Sequence, residues 1–540
     1  MRSDTDELDA DLVVVGFGAA GACAAIEAAD AGAAVLVLDR FGGGGTSAVS
    51  GGVVYAGGGT AIQHGAGVRD SPEAMYQYLR MEVGDAVSSA TLRRFCAESS
   101  GMMDWLSGLG VPFASSLCPD KTSYPSNRHY LYYSGSERSE PFASAAEPAP
   151  RGHRAHGRGT SGATLFTALA RAVRARGVAV YRQTTVTSLT RDEAGRVTGV
   201  LARTLRDAPG WARLAHRLLS RYAAKPGLYV PALGRALRRR AARLDQRFGR
   251  ALRVRARSGV VLAAGGFVAN REMMRQHAPA YRGCLPLGTP GDDGGGLWLG
   301  IRAGGATAKL DRLSAWRFVT PPTALVEGLL VDRAGQRICD ESRYGAAIGA
   351  AILERTDAAA WLLIDRRIRA AALRQLRGPM LWFQRLQGWY LLRAGAHTAW
   401  SLDELAERVG IEADGLRETV RGYHRALADG EPDPAGKRGA TPLDSPPYTL
   451  LDVSIRPNPG YPCPVLTLGG LVVNERTGAV RAEDGTDIPG LYAAGRVAVG
   501  LCANSYVSGL SLADCVFSGR RAGVAAIAAA RGVDTNKNMF

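Results

Sequence analysis

DLVVVGFGAAGACAAIEAADAGAAVLVLDR, residues 11–40, carries the reading on which the fold depends. Leu12–Val15 predicts a short buried strand. Gly16, Gly18 and Gly21 form GxGxxG at the start of an Ala-rich helix that opens with Ala19 and Ala20. Val35–Leu38 predicts a second strand, ending at Asp39 and followed by Arg40. The first Gly permits the turn, the second lets backbone approach a pyrophosphate, and the third packs helix on strand. The helix N-terminus offers free N–H groups and a positive dipole end to phosphate. A carboxylate at the second strand's end accepts from ribose hydroxyls. A lone GxGxxG is weak. Here strand, motif, helix, strand and acid stand at the right spacing, which disfavours a Gly-rich turn that only packs.

The chain has 540 residues, room for two to four domain-sized units. A hydrophobic share of 46% and a charged share of 21% are ordinary for a globular protein. Eight cysteines stand at 23, 96, 118, 284, 339, 463, 502 and 515, with no CxxC pair, so no zinc or iron–sulfur site is expected. The acidic N-terminus precedes its apolar run, the wrong order for a signal peptide. No uncharged run reaches the ~18 residues of a membrane span. These features predict a reducing, cytoplasmic setting. The terminal DTNKNMF reads as loose.

Net charge is +16 but local. Sixteen Lys/Arg fall between Arg203 and Arg257, opposed in that stretch only by Asp207 and Asp245. A general affinity for nucleic acid is not implied. Trp211, Leu214, Ala215, Leu218, Leu219 and Tyr222 share one helical face, and Leu233, Leu237, Leu244, Phe248 and Leu252 make a second stripe. Arginine lines the remainder. Such helices over 205–252 suit the headgroup layer of an anionic membrane, on the inner face of the cell membrane if the chain is cytoplasmic. The competing reading is a helix pair packed on its own core.

FGGGGTSAVSGGVVYAGGGT, residues 41–60, is rarely the continuation of an NAD domain. With GRGTSGATLF (157–166), SGVVLAAGGF (258–267), GTPGDDGGG (288–296) and GLYAAGRVAVG (490–500), it resembles the fumarate reductase/succinate dehydrogenase flavoprotein superfamily. The resemblance implies an α/β protein: a Rossmann-like FAD-binding domain, split in sequence, with an inserted α+β catalytic cap domain. Its first part is expected over 1–308, with the basic insertion 203–257. The cap is expected over 309–448 and the last part over 449–540. Besides the first motif, the cofactor residues implied are Thr46, Ser47, Ser50, Gly51, Gly52, Val186 near the adenine, Ala264, Gly265, Asp292, Gly495, Arg496, Ser511 and Leu512. Relatives with covalent flavin carry a His before the Thr-Ser run. Gly45 stands there, so non-covalent FAD is expected. After the AAG of 493–495, relatives carry Glu or Asp toward the ribityl chain. Arg496 replaces it and is free to reach a phosphate or a carbonyl.

The superfamily implies redox at flavin N5, and the substrate must come from the site. Dicarboxylate enzymes place His just before a TxGG turn and Arg four residues after a cap Glu. Here Val465 and Leu466 precede Thr467-Leu468-Gly469-Gly470, and after Glu341 the arginine is Arg343, out of register. A dianion without those anchors meets a desolvation cost of several kcal/mol. What remains is apolar with hydroxyls: DESRYG places Tyr344 in the cap, and SYVSG places Tyr506 and Ser508 at the other side of the cleft. The combination resembles 3-ketosteroid dehydrogenases. Val507-Ser508-Gly509 follows the tyrosine where the Δ1 branch has PG, as in the Δ4-(5α) branch. The resemblance implies C4 proton removal by Tyr344, Tyr506 and Ser508, C5 hydride transfer to the flavin, and an unidentified acceptor, with quinone as one class. Alternatives are Δ1 dehydrogenation, reduction of another unsaturated ketone or acid, and a membrane-binding protein with structural FAD. His153 and His156 form HxxH without a third ligand and read as surface residues, so no metal is expected. Tyr124, Tyr130, Tyr132 and Tyr133 form a patch that walls a pocket or packs on itself, and Met273-Met274 reads as core.

Overall fold

The computed structural model describes residues 5–533; the reading of DTNKNMF as loose concerns residues outside that range. The chain opens with β1 (Thr5–Val15), α1 (Ala19–Asp30) and β2 (Val35–Asp39). The glycine-rich loop over 41–60 holds a short helix α2 (Gly45–Val49) and leads into β3 (Val53–Tyr55). Then come β4 (Leu131–Tyr132), β5 (Gly152–Arg154), β6 (Ala179–Arg182), β7 (Thr184–Arg191) and β8 (Val197–Thr204). Helices α3 (Gly210–Tyr229) and α4 (Pro231–Phe248) intervene before β9 (Arg250–Leu262).

The middle of the chain gives β10 (Leu285–Pro286), β11 (Leu313–Ala315), β12 (Leu329–Val331), α5 (Gly345–Arg355), β13 (Trp361–Ile364), α6 (Arg366–Gln375), α7 (Trp382–Arg393), β14 (Ala396–Ala399) and β15 (Tyr448–Asp452). Then follow β16 (Pro464–Thr467), β17 (Ala479–Arg481), β18 (Asp487–Ala493) and α8 (Leu510–Ala530).

The main sheet runs β17-β18-β9-β1-β2-β6, with β8 also paired to β9 and β7 to β8. Its centre, β18, β9, β1, β2 and β6, is parallel. One sheet therefore takes strands from both ends of the chain. A separate antiparallel sheet runs β12-β13-β15-β14, and two three-stranded sheets run β10-β16-β11 and β3-β5-β4.

The largely buried α1 lies between the sheet and α8. Gly519 and Gly523, one turn apart on α8, face α1 so closely that a Cβ on either would come 2.4 Å from the Ala20 or Ala24 carbonyl. This small-residue seam fixes the start of α8 beside the start of α1.

β1 is longer than its apolar run predicts, beginning at Thr5 instead of Leu12. The extension is polar and pairs with an arginine-rich half of β9. Glu7 lies opposite Arg253 and Asp9 opposite Arg255 in the register. Their side chains approach to 3.8 and 3.9 Å, and Asp11 meets Arg257 at 2.7 Å. Cross-strand opposite charges stabilise such a ladder. Leu252 consequently belongs to β9, buried, and not to a helical stripe. Among the described residues of 203–257, the arginines of α3 and α4 form no ion pair.

Candidate active site

The cofactor side is built from tight turns. Gly16 has φ +105°, and a Cβ there would lie 2.5 Å from the Ala263 carbonyl. A Cβ on Gly21 would lie 2.0 Å from the Gly16 carbonyl. Gly18, by contrast, faces space: its nearest neighbour would be Ser47 Oγ at 3.5 Å. Ser47 accepts the Ala19 amide at 3.0 Å, and buried Ala20 touches the Gly495 turn. Asp39 accepts three backbone amides, Phe17, Phe41 and Gly43, at 2.9, 2.8 and 3.0 Å. A carboxylate has about four acceptor sites, which leaves one.

Asp292 gathers the far wall. It accepts from Thr46 and from the Thr289 amide (2.8 Å), and pairs with Arg496. Arg496, read from the sequence as free to reach a phosphate or a carbonyl, is paired with a carboxylate instead. Arg40 pairs with Asp293. Ser50 caps the Gly52 amide at 3.1 Å, and Tyr124 Oη donates to the Gly51 carbonyl at 2.6 Å. Gly265, at φ +83°, lies against Asp292, and Ala264 abuts Gly296. Val186 packs half-buried on the sheet, and Ser511 and Leu512 form the first turn of α8. Arg496 Nη1 and Arg40 Nε are buried without a hydrogen-bond partner. Two orphaned cationic donors and an open glycine cradle at a helix N-terminus fit a dinucleotide with an anionic diphosphate.

The substrate side holds phenols and rings. Tyr344 is the N-cap of α5, its amide donating to Ser136 Oγ at 3.0 Å. α5 can approach because Gly345 and Gly349 lie against Phe318 and the Ala315 carbonyl, where no Cβ fits. Tyr344 Oη faces the Ser508 side chain. Ser508 Oγ also lies 3.0 Å from Tyr132 Oη. The Ser508 backbone is held on both sides by Ser134. The Tyr344 and Tyr506 rings stand 6.4 Å apart, Trp316 lies 5.1 Å from Tyr506, and Phe318 lies 5.6 Å from Tyr344. The Gly509 amide, at the start of α8, faces the Tyr506 oxygen. Burial pushes all three phenols, Tyr132, Tyr344 and Tyr506, above the ordinary range, so they stay protonated.

The three hydroxyls read from the sequence are therefore brought together. Tyr132, Trp316 and Phe318 join them. Tyr132 stood in the aromatic patch without a catalytic reading. Trp316 and Phe318 had a signal that went unused: two aromatics at i, i+2 in extended chain just after β11, beside the TxGG strand. Val465 and Leu466 are buried on β16. Arg343 lies beside Glu82 and over the Phe142 ring at 5.7 Å. Arg317 donates to the Tyr461 and Ser454 carbonyls.

The reading of His153 as a surface residue is corrected. It is buried in the central strand β5, with Nδ1 at 3.0 Å from the Arg151 carbonyl and Nε2 at 2.9 Å from Thr60 Oγ1. His156, past the strand's end, is exposed and packs on Tyr130.

Residues 11–512 match the family of FAD binding domains. The chain belongs to that family. FAD is its cofactor. The chain is 40% identical over 501 residues to 3-oxo-5-alpha-steroid 4-dehydrogenase of Comamonas testosteroni, covering 90% of this chain and 92% of that one. A solved 3-ketosteroid-delta4-(5alpha)-dehydrogenase from Rhodococcus jostii RHA1, in complex with 4-androstene-3,17-dione, superimposes with TM-score 0.81 at 32% identity, over 97% of this chain and 98% of that one. A cytochrome-type fumarate reductase of Shewanella frigidimarina is 25% identical over 531 residues, 95% of this chain and 76% of that one.

Proposed function

We propose that this FAD-dependent oxidoreductase introduces the C4–C5 double bond into a saturated 3-ketosteroid. The observation that carries the reading is the cluster of neutral hydroxyls, Tyr344, Ser508 and Tyr132, walled by Trp316, Phe318 and Tyr506. FAD, when bound, supplies the two-electron acceptor to which the C5 hydrogen leaves as hydride. With the Gly509 amide facing the Tyr506 oxygen, the Tyr506 O–H donates to the ketone and stabilises the developing enolate. The C4 proton passes to Tyr344 as Tyr344 passes its own to Ser508, a concerted transfer required because a buried phenol is a poor base. Ser508 hands its own proton to Tyr132 as Tyr132 releases its phenolic proton toward solvent, so each hydroxyl ends neutral. A cation in this slot would attract the wrong substrates and cost desolvation energy.

FAD is held without a covalent bond, since Gly45 replaces the expected histidine. The cap over 309–448 carries Tyr344 to the flavin domain's residues. A quinone is the acceptor class we assign. α3 and α4 attach the enzyme to the inner face of the cell membrane: Trp211, Leu214, Leu218 and Tyr222 point outward, while the inward positions are Ala212, His216 and Ala223.

Purified enzyme given a 5α-3-ketosteroid and an artificial acceptor yields the 4-ene-3-ketosteroid, and Tyr506→Phe and Ser508→Ala lose that turnover. Conversion of fumarate alone, with a reduced donor, overturns the steroid reading. Thr204 lies opposite Arg250 in the register, so a short turn can replace 205–249. Loss of liposome binding with activity retained supports the anchor.

A further inference from the structure

The helix α7 presents an unusual outer face. Its buried positions are Gln384, Gly388, Leu391 and Leu392. Trp382, Leu386 and Trp389 are 74%, 59% and 51% exposed. At spacings of four and three residues they form one stripe. Single exposed apolar residues are common, but two tryptophans and a leucine aligned on one helix mark a contact surface.

The surroundings are rich in cations, and Arg367 alone among the described arginines of 366–402 meets carboxylates, those of Glu327 and Asp365. From Arg366 to Leu402 the chain has seven arginines and no Asp or Glu. Arg374, Arg377, Arg385 and Arg393 are exposed, and among the described residues none of the four forms an ion pair. Arg393 lies over the Trp389 ring at 5.1 Å. Arg385 donates to the Gly378 carbonyl at 3.1 Å.

The helix is firmly seated. Gly388 packs on Leu376 and Pro322, and Tyr390 covers Gly460. Gln384 Nε2 donates to the Tyr124 carbonyl at 3.0 Å, and Tyr124 in turn bonds the flavin loop at Gly51. The stripe is therefore a rigid feature one side chain from the cleft.

We infer that this face of α7 docks on an anionic lipid bilayer. Twelve residues span about 18 Å along the axis, too short to cross a membrane but suited to lie in its interface. Tryptophan favours the headgroup level, and arginines extend from beneath it to phosphates. A second copy of the chain is disfavoured as the occupant. A two-fold contact would set the same arginines against themselves with no acid between. The docking is separate from the attachment assigned to α3 and α4. Its consequence, entry of an apolar substrate beside Tyr124 directly from the acyl phase, rests on the steroid reading; the docking itself does not.

The test is flotation of the FAD-loaded enzyme with vesicles of phosphatidylcholine alone and with 30% phosphatidylglycerol (about the anionic share that gives a strong surface potential). Wild type is compared with Trp382→Ser/Trp389→Ser, with Arg385→Glu/Arg393→Glu, and with Trp211→Ser/Leu214→Ser on α3. Flavin absorbance and Tm check the fold. Binding only to the anionic vesicles, weakened at least tenfold by either α7 pair and reversed by salt, is expected. Unchanged binding in both α7 pairs overturns the proposal. So does loss of binding in the α3 variant alone, which leaves the hairpin as the anchor. No wild-type binding overturns both. A wild-type dimer that the α7 pairs render monomeric assigns the face to self-association and overturns the lipid reading.

Discussion

The two walls of the cleft solve opposite electrostatic problems. On the cofactor wall, charge is plentiful and each charge has a partner. Asp39 holds three amides, Asp292 joins Thr46, Thr289 and Arg496, and Arg40 meets Asp293. On the substrate wall, Tyr132, Tyr344, Tyr506 and Ser508 stand among rings. A ligand that is charged for its whole residence justifies paired charges, because its own desolvation is offset there. A neutral ketone acquires charge only as it reacts, and hydroxyl donors serve that moment without a standing desolvation cost.

The strongest test of this separation is Tyr344→Phe. It removes the oxygen that faces Ser508 while keeping the ring against Phe318. A fall in kcat of about 10²–10⁴ with flavin content unchanged is expected, the range for loss of a general acid–base group. Flavin loss from this variant would show that the walls are not separable. Asp292→Ala is the reciprocal change. It leaves buried Arg496 unpaired, a cost of about 3 kcal/mol or more. FAD affinity, read by ultrafiltration or flavin fluorescence, should fall about 100-fold or more. A loss of steroid turnover at saturating FAD would break the comparison from the other side.

A third prediction concerns the sheet joining the walls, since β3 follows the flavin loop and β4 carries Tyr132. His153, in the strand between, is held neutral by burial, its pKa lowered from 6.5 to about 4. The unfolded chain takes up a proton below about 6.5 and the folded chain does not until about 4. Stability therefore holds above pH 6.5 and falls as pH drops toward 4, by an order of 2–3 kcal/mol from this group. His153→Gln should flatten that acid limb in a Tm-against-pH series, and an unaltered limb would remove His153 from the account.

The cofactor wall was largely legible because its signals are local. GxGxxG, Asp39 and the 41–60 loop each state their geometry within a few residues. Even there, the Asp292–Arg496 pair spans 204 positions, and the sequence shows only an unexpected arginine. The substrate wall is assembled from four distant stretches. Tyr344, Tyr506 and Ser508 were reached through a resemblance, whereas Tyr132 arrives by strand pairing, and Trp316 and Phe318 by α5 settling on Gly345 and Gly349. The charge reading failed differently. Counting cations within 203–257 missed the acids of β1, because the register that opposes Glu7 and Arg253 joins the chain's start to its middle.

Tyr132→Phe sharpens the comparison at its finest point. Tyr132 is fully buried, and a phenyl ring fills nearly the same space, so packing alone predicts no change. If Tyr132 receives the proton from Ser508, the variant loses the next acceptor and Ser508 must exchange with whatever water reaches it. The expected fall in kcat is about tenfold, toward the low end for a proton-transfer partner. The solvent deuterium effect on kcat should rise as the second transfer becomes limiting, while KM for the steroid stays unchanged because no ring contact is lost. The double variant with Ser508→Ala should be no slower than Ser508→Ala alone, since both changes cut one path and coupled residues are not additive. Equal rates for Tyr132→Phe and wild type, with full additivity against Ser508→Ala, would return Tyr132 to the wall and end the relay at Ser508.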